Sequence, residues 1–182
     1  RADFFSGELM AALNILQEEG LPSQDLTGSW AGAMGNCQFI PSTYARYAVD
    51  ADGDGKRDIW HSEADTFASI ANYLSALGWD ATREVMENAI TPDDFKPSEA
   101  SIDTSHNADY WGKRGFAVND GEGMRRLGGS RMLYAIYLSK ADEGDSNAVL
   151  VAENFKTLLK WNRSRYFAMA VSTLADAIEE TP

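Results

Sequence analysis

The 182 residues carry 16 Lys and Arg against 28 Asp and Glu, a formal net charge of −12, with 44% hydrophobic and 11% aromatic residues. That length supports one good core or two small ones. The acidic balance argues against nucleic acid and anionic membrane surfaces, whose binding rests on Lys and Arg, and leaves a neutral polymer, a small molecule or a cation.

No apolar run approaches the ~20 residues of a membrane span. The opening stretch RADFFSGELMAAL lacks a basic region followed by a pure apolar segment and a cleavage site. Cys37 stands alone, forms no internal disulfide, and reads as a small packed residue rather than a nucleophile.

Phe4 to Glu19 places Phe5, Leu9, Leu13 and Leu16 at helical spacing before Gly20-Leu21-Pro22, which predicts one amphipathic helix. Residues 23–40 are Gly- and Ala-rich loop, and Pro41 opens a short helix. Ser62-Glu63-Ala64-Asp65 forms a helix N-terminus. Phe67, Ile70, Ala71, Leu74 and Leu77 then make an apolar stripe that Gly78 ends. Arg83 to Asn88 is a candidate strand, while residues 91–130 show little periodicity. Arg131 to Ser139 reads as a strand, EGDS as a turn, and Ala148 to Ala152 as the partner strand. One helix runs from Phe155 to about Trp161-Asn162. A last one runs from about Ser164 to Glu179, with Phe167, Val171, Leu174 and Ile178 on one face. The fold class expected is α+β, mainly helical, with a small β-containing insertion.

Between the second and third helices lies DADGDGKRDIWH. It sets Asp50, Asp52 and Asp54 at positions 1, 3 and 5 of an EF-hand-type loop, with Gly55 at the sharp turn. Lys56 would offer a backbone carbonyl and Asp58 a direct or water-mediated ligand. Position 12 is His61 where a bidentate Glu belongs, so Asp65, or less readily Glu63, is the compensating carboxylate. The alternative is an acidic Asx-type turn with no ion. The reading adopted is a structural Ca2+ that fixes the angle between two helices.

The string GSWAGAMGNCQFIPSTYARY, running directly into that loop, resembles the membrane-bound lytic murein transglycosylase B family. RADFFSGEL and ENFKTLLKWNRSRYFAMAVSTLADAI are similar to the family's flanking segments, and only about 81–147 are nondescript. The resemblance implies a lysozyme-like α domain made by residues 1–80 and 153–182, with the EF-hand-like loop at 50–65 and a small β-containing subdomain at 81–152. It implies an enzyme that cuts the β-1,4 bond between N-acetylmuramic acid and N-acetylglucosamine, forming a 1,6-anhydro product. Its partner would be peptidoglycan glycan strands. Its location would be the bacterial periplasm, with an outer-membrane anchor as an option carried by a preceding segment.

Position by position, the resemblance places Ser29 near the catalytic acid, Gln38 and Phe39 against the sugars, and Met34 lining the groove. Tyr73 faces the cleft, and Trp161, Asn162 and Tyr166 return from the C-terminal segment. At Trp161 the family usually has Tyr; the swap keeps a stacking surface and moves its polar tip. From residue type alone, each aromatic is as well explained by core packing, and Ser29 by a turn or cap.

The family's catalytic Glu sits in an E-[ST]-x-[FYW]-G motif upstream of this string, and no such motif occurs in these residues. Glu8, Glu18 and Glu19 have the spacing of solvent-facing positions on the first helix. The expectation is a catalytic acid upstream of Arg1, on a preceding N-terminal segment of the same enzyme. The chain alone would then bind glycan weakly and cleave nothing. The alternatives are a non-catalytic peptidoglycan-binding domain on the same fold, a calcium-regulated module, and a hydrolytic lysozyme.

Overall fold

The computed structural model describes residues 2–119, 123–138 and 148–179. They belong to two compact units, Arg1–Leu77 and Gly78–Pro182. The fold is α+β and mainly helical, as the sequence implies.

The first unit holds α1 (Ala2–Glu18), α2 (Pro41–Tyr47) and α3 (Glu63–Ala76). Pro41 occupies the first turn of α2, where its missing N–H costs no hydrogen bond. Ser62 caps α3 by accepting from Asp65 N at 3.2 Å. The buried positions of α3 are Asp65, Thr66 and Ser69, not the periodic stripe: Phe67 is 67% exposed. Likewise Phe5, Leu9 and Leu13 of α1 are exposed and Ile15 is its buried residue. The apolar period locates a face able to be covered, whereas here polar side chains bonded to the adjoining loop take the inside.

Of the three glutamates expected to face solvent, Glu18 does, its side chain 60% exposed, whereas Glu8 and Glu19 depart. Glu8 accepts from Ser42 N at 2.9 Å and from Ser42 Oγ at 2.7 Å, capping α2 from outside. Glu19, its side chain only 6% exposed, pairs with Arg57. The first adds an acceptor for an amide at the start of a helix, and the second gives the partly buried Arg57 guanidinium a carboxylate.

In the second unit, β1 (Met86–Glu87), β2 (His106–Asn107), β5 (Met132–Ile136) and β6 (Val149–Val151) form an antiparallel sheet in the order β1-β6-β5-β2. Tyr134 lies opposite Val151, and His106 opposite Leu133. A separate ribbon pairs β3 (Ala117–Asn119) with β4 (Met124–Arg126). The strands expected near 83–88, 131–139 and 148–152 are thus β1, β5 and β6. The expected turn at 143–146 lies outside the described residues.

Helix α4 (Ala108–Arg114) falls in the stretch that showed little periodicity. Asn107 caps it, accepting from Tyr110 N at 2.9 Å, and Gly115 ends it at φ 112°. It carries Trp111 into a core with Phe95, Phe116, Leu127, Leu133 and Leu150, and Trp111 Nε1 donates to Leu133 O at 3.0 Å. Gly112 admits that approach, since a Cβ there would sit 1.7 Å from Leu127 O.

Helix α5 (Glu153–Trp161) buries Phe155 and Leu158. Its Asn154 amide donates to Asp80 O at 2.8 Å and Arg83 O at 2.7 Å, fixing the chain before β1. Helix α6 (Arg165–Glu179) buries Ala168 and Ser172 and leaves Leu174 and Ile178 exposed.

Candidate functional site

The small residues of 27–40 build a doubled turn. Met34 bridges both Gly28 and Phe39, with Met34 N donating to Phe39 O at 2.8 Å and Ser29 N to Ala33 O at 2.7 Å. Gly35, at φ 61°, lies so close to Ile59 that a Cβ would meet its side chain at 2.5 Å. Only glycine fits both demands. The turn buries Met34, Cys37 and Phe39 and turns Ser29 and Gln38 outward. Burial pushes the Cys37 thiol up, away from a reactive thiolate.

Gln38 sits at φ 53°, the one non-glycine with positive φ among the described residues. Its backbone N–H and its Nε2 both donate to Gly35 O, at 3.2 and 2.9 Å. It lines an open cleft of about 370 Å³ with Thr27, Asn36, Trp60 and His61. Trp60 is held there by Nε1 donating to Thr27 O at 3.0 Å, and Asn36 Nδ2 donates to Trp60 O at 3.2 Å. Asn36 and Trp60 were not among the expected site residues; a side-chain amide two residues from Gln38 on a tight turn is the signal the sequence offers for Asn36. Tyr73 stacks edge-on against Phe39 at 5.3 Å and meets Tyr47 at 4.8 Å, and burial raises its phenol.

The remaining sequence-predicted residues lie in the second unit. Trp161 ends α5 half-buried. Asn162 is exposed, and its Oδ1 accepts from Ser164 N at 3.0 Å. Tyr166 is exposed in the first turn of α6, beside a cavity of about 520 Å³.

The acidic loop is organised by its carboxylates. Asp50 accepts from Gly53 N and Gly55 N at 2.7 and 2.8 Å. Asp65 is fully buried and clamps both sides of the loop, accepting from Ala51 N at 2.7 Å and Asp58 N at 2.8 Å. One carboxylate oxygen each from Asp50, Asp52 and Asp65 falls within 4.8 Å of the others. That cluster of hard oxygen donors suits a divalent cation such as calcium. Asp54 and Asp58 stand outside the cluster. Asp54 accepts from Lys56 N at 2.8 Å, and Asp58 accepts from Trp60 N and His61 N, both at 2.9 Å. Tyr44 anchors the far side: its hydroxyl donates to Arg57 O at 2.8 Å, and the Arg57 guanidinium lies 5.1 Å from its ring centre.

The family model for the transglycosylase SLT domain matches residues 1–176. The chain belongs to that family. It is similar to membrane-bound lytic murein transglycosylase B of Escherichia coli K12, at 33% identity over 98% of this chain and 46% of that protein. Among solved structures, SltB3 of Pseudomonas aeruginosa in complex with NAG-anhNAM-pentapeptide superposes with a TM-score of 0.83 at 38% identity, covering 99% of this chain and 47% of that one. The Escherichia coli lytic transglycosylase Slt35 in complex with calcium gives 0.77 at 33% identity, covering 98% and 54%. This SLT domain chain therefore spans about half the length of the relatives it matches.

Proposed function

We propose that this chain supplies the glycan-binding surface and calcium loop of a lytic transglycosylase that acts on peptidoglycan in the bacterial periplasm. The observation that carries the reading is the turn at 28–39, which presents Ser29 and Gln38 to solvent on buried Met34 and Phe39, immediately before the carboxylate-clamped loop. In the reaction proposed for the whole protein, the C6 hydroxyl of the muramoyl sugar attacks its own anomeric carbon. The bond to the N-acetylglucosamine oxygen breaks, that oxygen takes a proton from a glutamic acid, and the resulting carboxylate receives the C6 hydroxyl proton. The product is 1,6-anhydro.

Ser29, Gln38 and Tyr73 on the first unit, and Trp161, Asn162 and Tyr166 on the second, are the side chains we assign to the glycan. Amides and hydroxyls meet sugar hydroxyls and aromatic faces cover apolar ring surfaces. Met34 and Phe39 shape the same wall from within.

The acid itself is assigned to sequence outside these residues. A general acid for this reaction needs a raised pKa, whereas the Arg114 guanidinium holds Glu99 down at about 2. Glu19 and Glu87 are paired with Arg57 and Arg131, and Glu8 accepts from Ser42 at the start of α2. Calcium is assigned to Asp50, Asp52 and Asp65, with Asp54, Asp58 and the Lys56 carbonyl completing the loop. An ion held by Asp50, Asp52 and Asp65 would neutralise their converging carboxylates and brace the chain between α2 and α3.

Purified sacculi incubated with this chain test the reading. The expected result is pelleting with the sacculi and no soluble anhydromuropeptide by mass spectrometry. Failure to pellet would remove the glycan-binding reading, and released 1,6-anhydromuropeptides would place the acid within these residues.

A further inference from the structure

The cavity of about 520 Å³ in the second unit is lined by Ser101, Ile136, Tyr137, Arg163, Arg165 and Tyr166, among others. Its floor is apolar, since Ile136 and Tyr137 are buried. Its rim is cationic. Arg165 Nη1 donates to Tyr137 O at 2.6 Å, which fixes that guanidinium against the wall. Arg163 is exposed, and among the described residues neither it nor Arg165 forms an ion pair with a carboxylate.

In a chain with 28 acidic against 16 basic residues, two such guanidinium groups meet at one cavity rim. Arg57, Arg83, Arg114 and Arg131 each hold a carboxylate. The first turn of α6 adds the positive end of a 15-residue helix, with Ser164 Oγ accepting from Phe167 N at 3.2 Å. The sugar rings offer no charge to such a rim, and the lactyl carboxyl of a muramoyl sugar is itself uncharged once a peptide is joined to it as the amide. The peptides attached to muramoyl sugars do offer charge, through their free carboxylates, and a guanidinium fork is matched to a carboxylate.

We infer that this cavity binds a carboxylate of the peptide carried by the muramoyl sugar, with Arg163 as the ion-pairing group and Arg165 as a fixed second donor. The inference rests on the glycan-binding reading and deepens it: Tyr166 is shared by the cavity rim and the glycan surface, so sugar and peptide would be read side by side. The protein would then favour peptide-bearing strands over strands whose lactyl carboxyls are capped and uncharged.

The test compares binding of a disaccharide-pentapeptide muropeptide with that of the same disaccharide whose lactyl carboxyl is capped as the simple amide, by calorimetry at low and high salt. One charge-assisted pair predicts a preference of about tenfold for the peptide-bearing ligand, weakened by salt. In Arg163→Gln the ratio of the two affinities should collapse toward one, while thermal unfolding confirms that the exposed substitution leaves the fold intact. Equal affinities in the unmodified protein, or a preference that survives Arg163→Gln, would overturn the inference with the glycan reading still standing. Binding of neither ligand would bring both down together.

Discussion

The two compact units are held together by different physics. The second is built around an apolar cluster in which Trp111, Phe116, Leu127, Leu133 and Leu150 are almost wholly buried, and its sheet and helices are ways of delivering those side chains. The first has a thinner apolar interior, around Ile15, Phe39, Tyr44 and Ile59. Much of its order comes from carboxylates that accept backbone N–H groups: Asp50, Asp52, Asp54, Asp58 and Asp65 in the loop, and Glu8 at the start of α2. A core of the second kind resists changes of ion content. An assembly of the first kind concentrates negative charge, which a cation would offset.

The sharpest way to break that contrast is a cavity in the apolar unit. Trp111→Ala should cost about 3–5 kcal/mol in urea unfolding, with any stabilisation by calcium undiminished; a loss of the calcium response in this variant would mean the units are not distinct in this sense. Next in size is the ion itself. Calcium at a hundredfold excess over its dissociation constant should stabilise the first unit by about 2.7 kcal/mol. Hydrogen exchange at the Ala51 and Asp58 amides should slow and a chelator should reverse it, while amides of β5 and β6 hold steady.

Asp65→Asn is smaller but more local. An amide offers one acceptor oxygen where the carboxylate uses two, so it should cost about 1–3 kcal/mol and also abolish the calcium increment. Retention of that increment would take Asp65 out of the metal cluster.

The smallest effect is acidic and belongs to the second unit. Arg114 lowers the Glu99 carboxyl from 4.5 to about 2. A depressed folded-state value stabilises above the unfolded value, so this contribution is complete above about pH 4.5 and fades as pH falls toward about 2. With the carboxylate partly exposed, it amounts to under about 1 kcal/mol. Glu99→Gln should flatten that limb of the acid denaturation curve and leave neutral stability slightly lower.

What the sequence disclosed depended on how local the cause was. The Pro41 start, the Ser62 cap and the strands around 134 and 150 are short-range signals and lie where they were expected; of the six ligands expected in the loop, the carboxylates of Asp50, Asp52 and Asp65 converge. Helix α4 was not expected: Asn107 and Gly115 at its ends were the available signal, and its seven residues are too short for a hydrophobic period to register. The burial of α3 could not be read, because Ser69 and Asp65 go inside to satisfy loop amides distant in sequence, at Val49, Ala51 and Asp58. The same holds for Glu19, whose partner Arg57 lies 38 residues away. Within the site, Ser29, Gln38 and Tyr73 were named from the family string alone; Asn36 and Trp60 enter the cleft through hydrogen bonds that no linear motif spells out.

Gln38 has a consequence for anyone selecting variants of this protein. Its backbone occupies a region that glycine adopts freely and a glutamine adopts at a penalty of order 1 kcal/mol. A library sorted for thermal tolerance alone should therefore drift toward glycine at this position, and one sorted for retention on sacculi should drift back. The two selections pull a single residue in opposite directions, so the frequency of Gln38 among survivors becomes a gauge of which pressure the population felt.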